Sequence, residues 1–195
     1  SLQPDFVGSV LKESIARWRL RPGSSIPLNY TAGTGAFLEV LLSALASGAT
    51  ILLPPSASVA SSFAWNPTHL RLSLLQWRNL LAELRRGSVT LPESLRAVAI
   101  EADAVPADLF TEWLTFAGEE IATHIFWSPV SNAGLGIRSF VKGGSAATLP
   151  ATGFPTPGLS VTLVDALGRD LPPHIEGEAV IQLLDGDQEW KIPAW

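Results

Sequence analysis

The chain has 195 residues, enough for one sizeable domain or a domain with a small appendage. Hydrophobic residues make up 47% and charged residues only 16%, against the roughly 25% charge of an ordinary soluble domain, so part of the apolar surface is expected to lie against another domain or a partner chain. The net charge of −5, with no basic run longer than Arg85-Arg86, argues against a nucleic-acid partner, and the absence of Cys removes disulfide frameworks and thiolate metal sites.

The elements follow in order. Asp5 to Trp18 places apolar residues at a helical period and is stopped by Arg21-Pro22-Gly23. Ser25 to Tyr30 reads as a short extended piece. Thr31 to Gly35 reads as a turn, and Ala36 to Ala46 as a strongly apolar helix closed by Ser47-Gly48. Ala49 to Leu53 is expected to be a buried strand, and Ser56 to Pro67 a surface loop. A strand at His69 to Ser73 leads into a helix at Leu74 to Arg86, whose Trp77, Leu80, Leu81 and Leu84 share a face. A strand at Leu95 to Ile100, a helix at Ala107 to Phe116 opened by Val105-Pro106, and a strand at Ile121 to Phe126 complete the alternation. Such β-α-β order over residues 25–127 predicts a largely parallel, covered sheet. Beyond Gly134 the texture changes. A strand is expected at Ile137 to Val141, then a Gly/Ser/Ala linker at Lys142 to Pro150. Short strands at Leu159 to Val164, Glu178 to Leu183 and Glu189 to Ile192 suit a small antiparallel sheet or distorted barrel. The expected division is an α/β part, residues 1–144, and a linker with a small β part, residues 145–195.

The longest apolar run, Phe37 to Leu53, is broken by Glu39, Ser43, Ser47, Gly48 and Thr50 and cannot span a bilayer. With no signal-peptide pattern and no initial Met, the sequence reads as a piece of a longer cytoplasmic polypeptide. Thr31-Ala32-Gly33-Thr34-Gly35 resembles a phosphate cradle opening a helix, but it lacks a Lys. The preferred reading is a Gly turn with Thr34 as helix N-cap. The three histidines, His69, His124 and His174, have no helical partner ligand, so no metal site is expected. Glu101-Ala102-Asp103 sits at a strand end, where it either holds a magnesium ion or forms a solvated turn; both readings stand. The seven tryptophans are expected to be core or interface anchors. The stretch His124 to Gly134 falls where a strand's carboxyl end meets a ligand crevice, yet it offers Trp127, Pro129 and Val130 rather than charge-handling groups.

The order of segments resembles the adenylate-forming (AMP-binding) superfamily, and within it the adenylation domains of nonribosomal peptide synthetases. Four stretches carry this. Residues 37–54 (FLEVLLSALASGATILLP) look like the helix and strand after the family's Phe-Asp-x-Ser motif. Ser94 to Pro106 (SLRAVAIEADAVP) looks like its SLRxVxxGGExxP. Trp127-Ser128-Pro129-Val130-Ser131 falls where the family has Tyr-Gly-Pro-Thr-Glu. Thr152-Gly153-Phe154-Pro155, Val164-Asp165, Gly168-Arg169, Leu171-Pro172 and Gly177-Glu178 follow its last core motif.

The resemblance implies a partial adenylate-forming core and identifies vestigial positions. Thr34 or Gly35 stands where the family's Asp anchors a substrate amine. Glu101, Ala102 and Asp103 stand for Gly-Gly-Glu. Trp127 replaces the Tyr that stacks on adenine, Val130 the Thr that faces phosphate, and Ser131 the Glu that holds magnesium. The family's phosphate loop with its Lys, its ribose-binding Asp and its C-terminal subdomain are not found in this sequence. Phosphoryl chemistry depends on cations and donors set against developing charge. The expectation is therefore a truncated, non-catalytic adenylation-like domain with no cofactor and no metal. It would act as a structural or docking element among the condensation, carrier or tailoring domains of a megasynthase. The alternative is part of a split or interrupted active domain that activates a hydroxy, keto or amino acid with ATP.

Overall fold

The computed structural model describes residues 4–56, 58–102, 105–130, 135–141, 154–155, 159–172, 175–183 and 189–192. Helix α1 (Pro4–Trp18) is followed by strand β1 (Ser25–Pro27), helix α2 (Gly35–Ser47) and strand β2 (Thr50–Leu52). Strand β1 pairs β2 in parallel, as a two-stranded sheet. Leu53 is mostly exposed and Thr50 is exposed, so β2 is an edge and not the buried strand expected. Its apolar side chains are only half-covered because one neighbour, β1, is all it has in this sheet.

Ser56 to Pro67 is also more than a surface loop. A 3-10 helix at Ala60–Trp65 follows Val59, and both Val59 and Ser62 are buried. The Ser62 hydroxyl is satisfied by the Val59 carbonyl at 2.6 Å, which lets a polar residue sit inside.

The main sheet has five strands. Strand β3 (His69–Ser73) pairs β4 (Ala97–Glu101), and β4 pairs β5 (Ala122–Val130), both in parallel. Strands β6 (Leu135–Val141) and β7 (Phe154–Pro155) then add in antiparallel fashion. Strand β5 runs four residues past the predicted end at Phe126, because β6 folds back along it. The register shifts between Trp127 and Val130. Pro129 lies in that interval and has no N–H to give the ladder, a common reason for such an irregularity. A separate antiparallel sheet joins β8 (Leu159–Val164), β9 (Glu178–Leu183) and β10 (Glu189–Ile192) in the order β10-β9-β8. The expected linker at 142–150 lies outside the described residues.

Strict alternation along β3, β4 and β5 gives the sheet two unlike faces. Leu70, Leu72, Val98, Ile100 and Ile125 project to one side and join a core with helix α3 (Leu74–Arg85) and helix α4 (Ala107–Ala117). Helix α3 starts directly from β3: Ser73 caps it, accepting from the Gln76 N–H, while the Gln76 side chain accepts from the Ser73 N–H. Its Trp77 and α4's Trp113 are fully buried and meet edge to face, with centroids 6.4 Å apart. The Trp113 Nε1–H donates to Thr123 Oγ1 at 2.8 Å.

The other face carries His69, Arg71, Ala97, Ala99, Glu101, His124 and Phe126. It meets the end of α1, β1 and α2 through Trp18, Leu20, Ile26, Val40 and Ala44. Helix α2 fits this face by turning its polar residues inward. Glu39 and Ser43 are buried, whereas Leu38, Leu42 and Leu45 are exposed. Gly48 closes α2 in the left-handed conformation, with φ of 71°, and its N–H returns to the carbonyls of Ala44 and Leu45.

Candidate functional site

The carboxyl ends of β3, β4 and β5 are where a parallel sheet ordinarily receives a ligand. Here the space just inside them holds a side chain of the protein itself. Arg71, at the centre of β3, is 2% exposed. Its guanidinium lies 4.9 Å from the centroid of the Tyr30 ring and 4.8 Å from that of Phe126. Its Nη1 is 3.1 Å from Glu101 Oε2 on β4, and its Nη2 is 3.3 Å from Glu39 Oε2 on α2. The Ser14 hydroxyl of α1 donates to the other Glu39 oxygen at 2.7 Å. One cation thus links α2, β3 and β4 and is capped by two aromatic rings.

The electrostatics follow from burial. Removal from water alone would lower the Arg71 pKa; the Glu39 and Glu101 carboxylates oppose it and hold the guanidinium protonated. The Tyr30 ring is partly exposed, but its hydroxyl oxygen is out of contact with solvent. Burial pushes that hydroxyl up to about 12, although the neighbouring Arg71 charge pulls the other way. Tyr30 is therefore a neutral phenol over the whole physiological range.

Thr34 and Gly35 stand at the start of α2, one turn before Glu39. The Thr34 hydroxyl accepts from the Phe37 N–H at 3.2 Å and donates to the Thr31 carbonyl at 2.9 Å. It is the N-cap the sequence predicts, and both capacities of its oxygen are used locally. Glu101 ends β4 with its carboxylate on Arg71 rather than in a solvated turn. Ala102 is buried, and its N–H donates to the Phe126 carbonyl at 3.0 Å, which ties the β4 end to β5. Trp127 and Val130 lie on β5 beyond Phe126; their side chains, and the whole of Asp103, Ser131 and His174, lie outside the described residues. The fold therefore brings Glu101, Ala102 and Phe126 to one sheet end, with α2 packed across it.

His69 and His124 are both buried on the same sheet face as Arg71. His69 Nε2 donates to the Trp18 carbonyl at 2.7 Å, and its Nδ1 accepts from the Thr68 hydroxyl at 2.7 Å. Burial, opposed by that carbonyl, lowers its pKa and keeps the ring neutral. Among the described residues, no three His, Asp or Glu side chains form a group able to hold a metal ion. No helix among them is long and apolar enough to cross a membrane.

Arg71 and Glu39 were not singled out as site residues by sequence reasoning. The signal was present: each is the lone Asp, Glu, Lys or Arg of its element, flanked by apolar residues, and the two are opposite in sign. Buried charges are paired, so such residues call for each other.

No family model matches the chain. In sequence it is 29% identical, over 150 residues, to pyochelin synthetase PchE of Pseudomonas aeruginosa, a match covering 71% of this chain and 10% of that protein. The structure superposes on the nonribosomal peptide synthetase FmoA3 with a TM-score of 0.80 at 17% identity, over 97% of this chain and 20% of that one. It matches the O-succinylbenzoate coenzyme A synthetase MenE of Bacillus subtilis, solved with ATP and a magnesium ion, with a TM-score of 0.74 at 15% identity, over 94% of this chain and 38% of that one. MatB of Rhodopseudomonas palustris gives a TM-score of 0.72 at 18% identity, over 93% of this chain and 36% of that one. The chain thus spans about a tenth of the curated relative and from a fifth to two fifths of these solved chains. It carries part of the adenylate-forming, AMP-binding fold and is adenylation-domain-like, of the kind found in nonribosomal peptide synthetases.

Proposed function

We propose that the chain is a non-catalytic adenylation-like domain that serves as a structural or docking element in a nonribosomal peptide synthetase or related megasynthase. The observation that carries this is the engagement of Arg71. A site for ATP and magnesium needs carboxylates open to a metal and cations open to phosphate. Here Glu39 and Glu101 are both turned onto Arg71, and Arg71 is enclosed by Tyr30 and Phe126. The substitutions at Val130 and Ser131 point the same way, since neither side chain supplies a charge for phosphate or metal. In this reading Ala102, Asp103, Trp127, Val130 and Ser131 are vestiges of a nucleotide site, Thr34 and Gly35 of an acyl pocket, and no cofactor or metal is required. The division at residues 144 and 145 belongs to the same reading.

The docking part rests on the outward leucines of α2, which give the chain an apolar face suited to a neighbouring condensation, carrier or tailoring domain. A cytoplasmic setting belongs with that assembly. The test is ATP–pyrophosphate exchange with amino, hydroxy and keto acids, together with the melting temperature in the presence of ATP and magnesium. No exchange and no shift are expected, because a ligand specific to the folded state raises the melting temperature. Exchange above background would establish the rival reading, a part of a split, active adenylation domain.

A further inference from the structure

A cleft lies at the opposite end of the sheet from Arg71. It has a volume of about 910 Å³ and opens at the amino ends of β3, β4 and β5, beside His69, Ala97 and Ala122. That size lies within the range of about 300–1,000 Å³ usual for small-molecule sites. Arg17, Arg19, Arg21 and Arg96 line it, and no Asp or Glu among the described residues does. In a chain of net charge −5 this is a marked local excess of cations. Arg17 is paired with Glu13 one turn back on α1. Arg19, Arg21 and Arg96 are exposed, and none of the described carboxylates forms an ion pair with them.

Five backbone acceptors around the cleft are already occupied. The Trp18 carbonyl takes the His69 Nε2–H, and the Arg21 carbonyl takes the Ser24 N–H. The Ser24 carbonyl takes the Thr50 N–H, the Thr68 carbonyl the Arg96 N–H, and the Arg96 carbonyl the Ala122 N–H. The Arg96 Nη1 itself donates to the Glu93 and Leu95 carbonyls, at 2.6 and 2.9 Å, and Arg96 lines the cleft together with Arg19 and Arg21.

Arg19 adds a second argument. Its N–H bonds to the Ala16 carbonyl and the Leu20 N–H to the Ile15 carbonyl, so α1 ends in a Schellman turn. The residue at the left-handed position of that turn is ordinarily Gly. Here it is Arg19, with φ of 53°. The charged side chain is thus held against its backbone preference, within the run Arg17-Trp18-Arg19-Leu20-Arg21, whose three arginines all line the cleft.

We propose that the cleft at the amino ends of β3 to β5 binds a small multiply charged phosphate-type anion through Arg19, Arg21 and Arg96. Guanidinium forks match phosphate oxygens in geometry and stay charged at every physiological pH. The site is independent of the vestigial nucleotide position, because it lies at the other end of the strands.

The test is calorimetric titration of the 195-residue chain with pyrophosphate as the probe. Saturable binding with one site is expected, weakened about tenfold by Arg21→Ala and by Arg96→Ala, as for loss of one charge-assisted hydrogen bond. Arg19→Gly should weaken it similarly while leaving the fold intact, since Gly suits the left-handed turn. Arg85→Ala, at the exposed pair with Glu112 outside the cleft, should leave binding unchanged. Absence of saturable binding, retention of full affinity in Arg19→Gly and Arg21→Ala, or an equal loss in Arg85→Ala would overturn the assignment. None of these results depends on whether the chain catalyses ATP–pyrophosphate exchange.

Discussion

At the scale of single residues, Arg71 governs how the polar sheet face is held. Two charges removed from water cost several kcal/mol each, and a buried pair is kept only where the partners satisfy one another. Replacing Arg71 by Met leaves Glu39, whose side chain is 3% exposed, beside Glu101 with no cation between them. Breaking a buried pair in this way costs about 3–5 kcal/mol. The double variant Arg71→Met with Glu39→Gln removes the uncompensated carboxylate and should recover most of that loss, giving a large favourable coupling in a denaturation cycle. Additive losses would show that Glu39 and Arg71 do not stabilise each other. The residues of this cluster were the least legible from sequence. Glu39 reads as one polar interruption in an apolar helix, and its partner is 32 residues away. Periodicity reports which face is buried but not which distant charge answers a buried one. Thr34, by contrast, was legible because its partners at 31 and 37 are local.

At the scale of elements, helix and strand positions followed from apolar periodicity wherever one face was buried, as in α3, where all four residues expected inside are buried. The reading of β2 as buried was wrong because a short apolar run does not reveal how many neighbours it will gain. The small antiparallel sheet offers a sharper case. Gly177 precedes β9, and a Cβ added there would stand 2.6 Å from the Val164 carbonyl oxygen and 2.3 Å from Leu171 Cδ1. Leu171 can move; the Val164 backbone is held by its pairing with Glu178. The turn between β8 and β9 is tied further by Asp165, which accepts from the Leu167 and Arg169 N–H groups at 2.8 and 2.9 Å. Those bonds, the Arg169 N–H first among them, hold the Asp165 carboxyl below its usual range. Gly177→Ala is therefore expected to destabilise this sheet by about 1–3 kcal/mol, the cost of overpacking. Amide exchange should quicken in β8 and β9 and stay unchanged in β3 to β5. Unchanged protection in β8 and β9 would show that the Gly-Glu pair is not fixed by packing.

At the scale of the molecule, the low charge and the α2 leucines belong to one argument. A surface helix normally buries its leucines and exposes its charges. Helix α2 does the reverse, because the sheet face beneath it carries Arg71 and needs Glu39. Its leucines then have to face outward, at positions 38, 42 and 45, spaced along one side. They are 46%, 36% and 63% exposed, so covering each gains roughly half of the 1.5–3 kcal/mol of a fully exposed Leu, a contribution to docking against a neighbouring domain that offsets part of the cost of association. The double variant Leu42→Glu with Leu45→Glu should leave the folding free energy within about 0.5 kcal/mol, as for other exposed positions. It should also weaken co-purification with the condensation, carrier or tailoring domain that the docking proposal places against this face. A variant that unfolds would place this face in a core, against the structure. A folded variant that still co-purifies in full would remove α2 from the docking surface and leave the scaffold reading without its contact face.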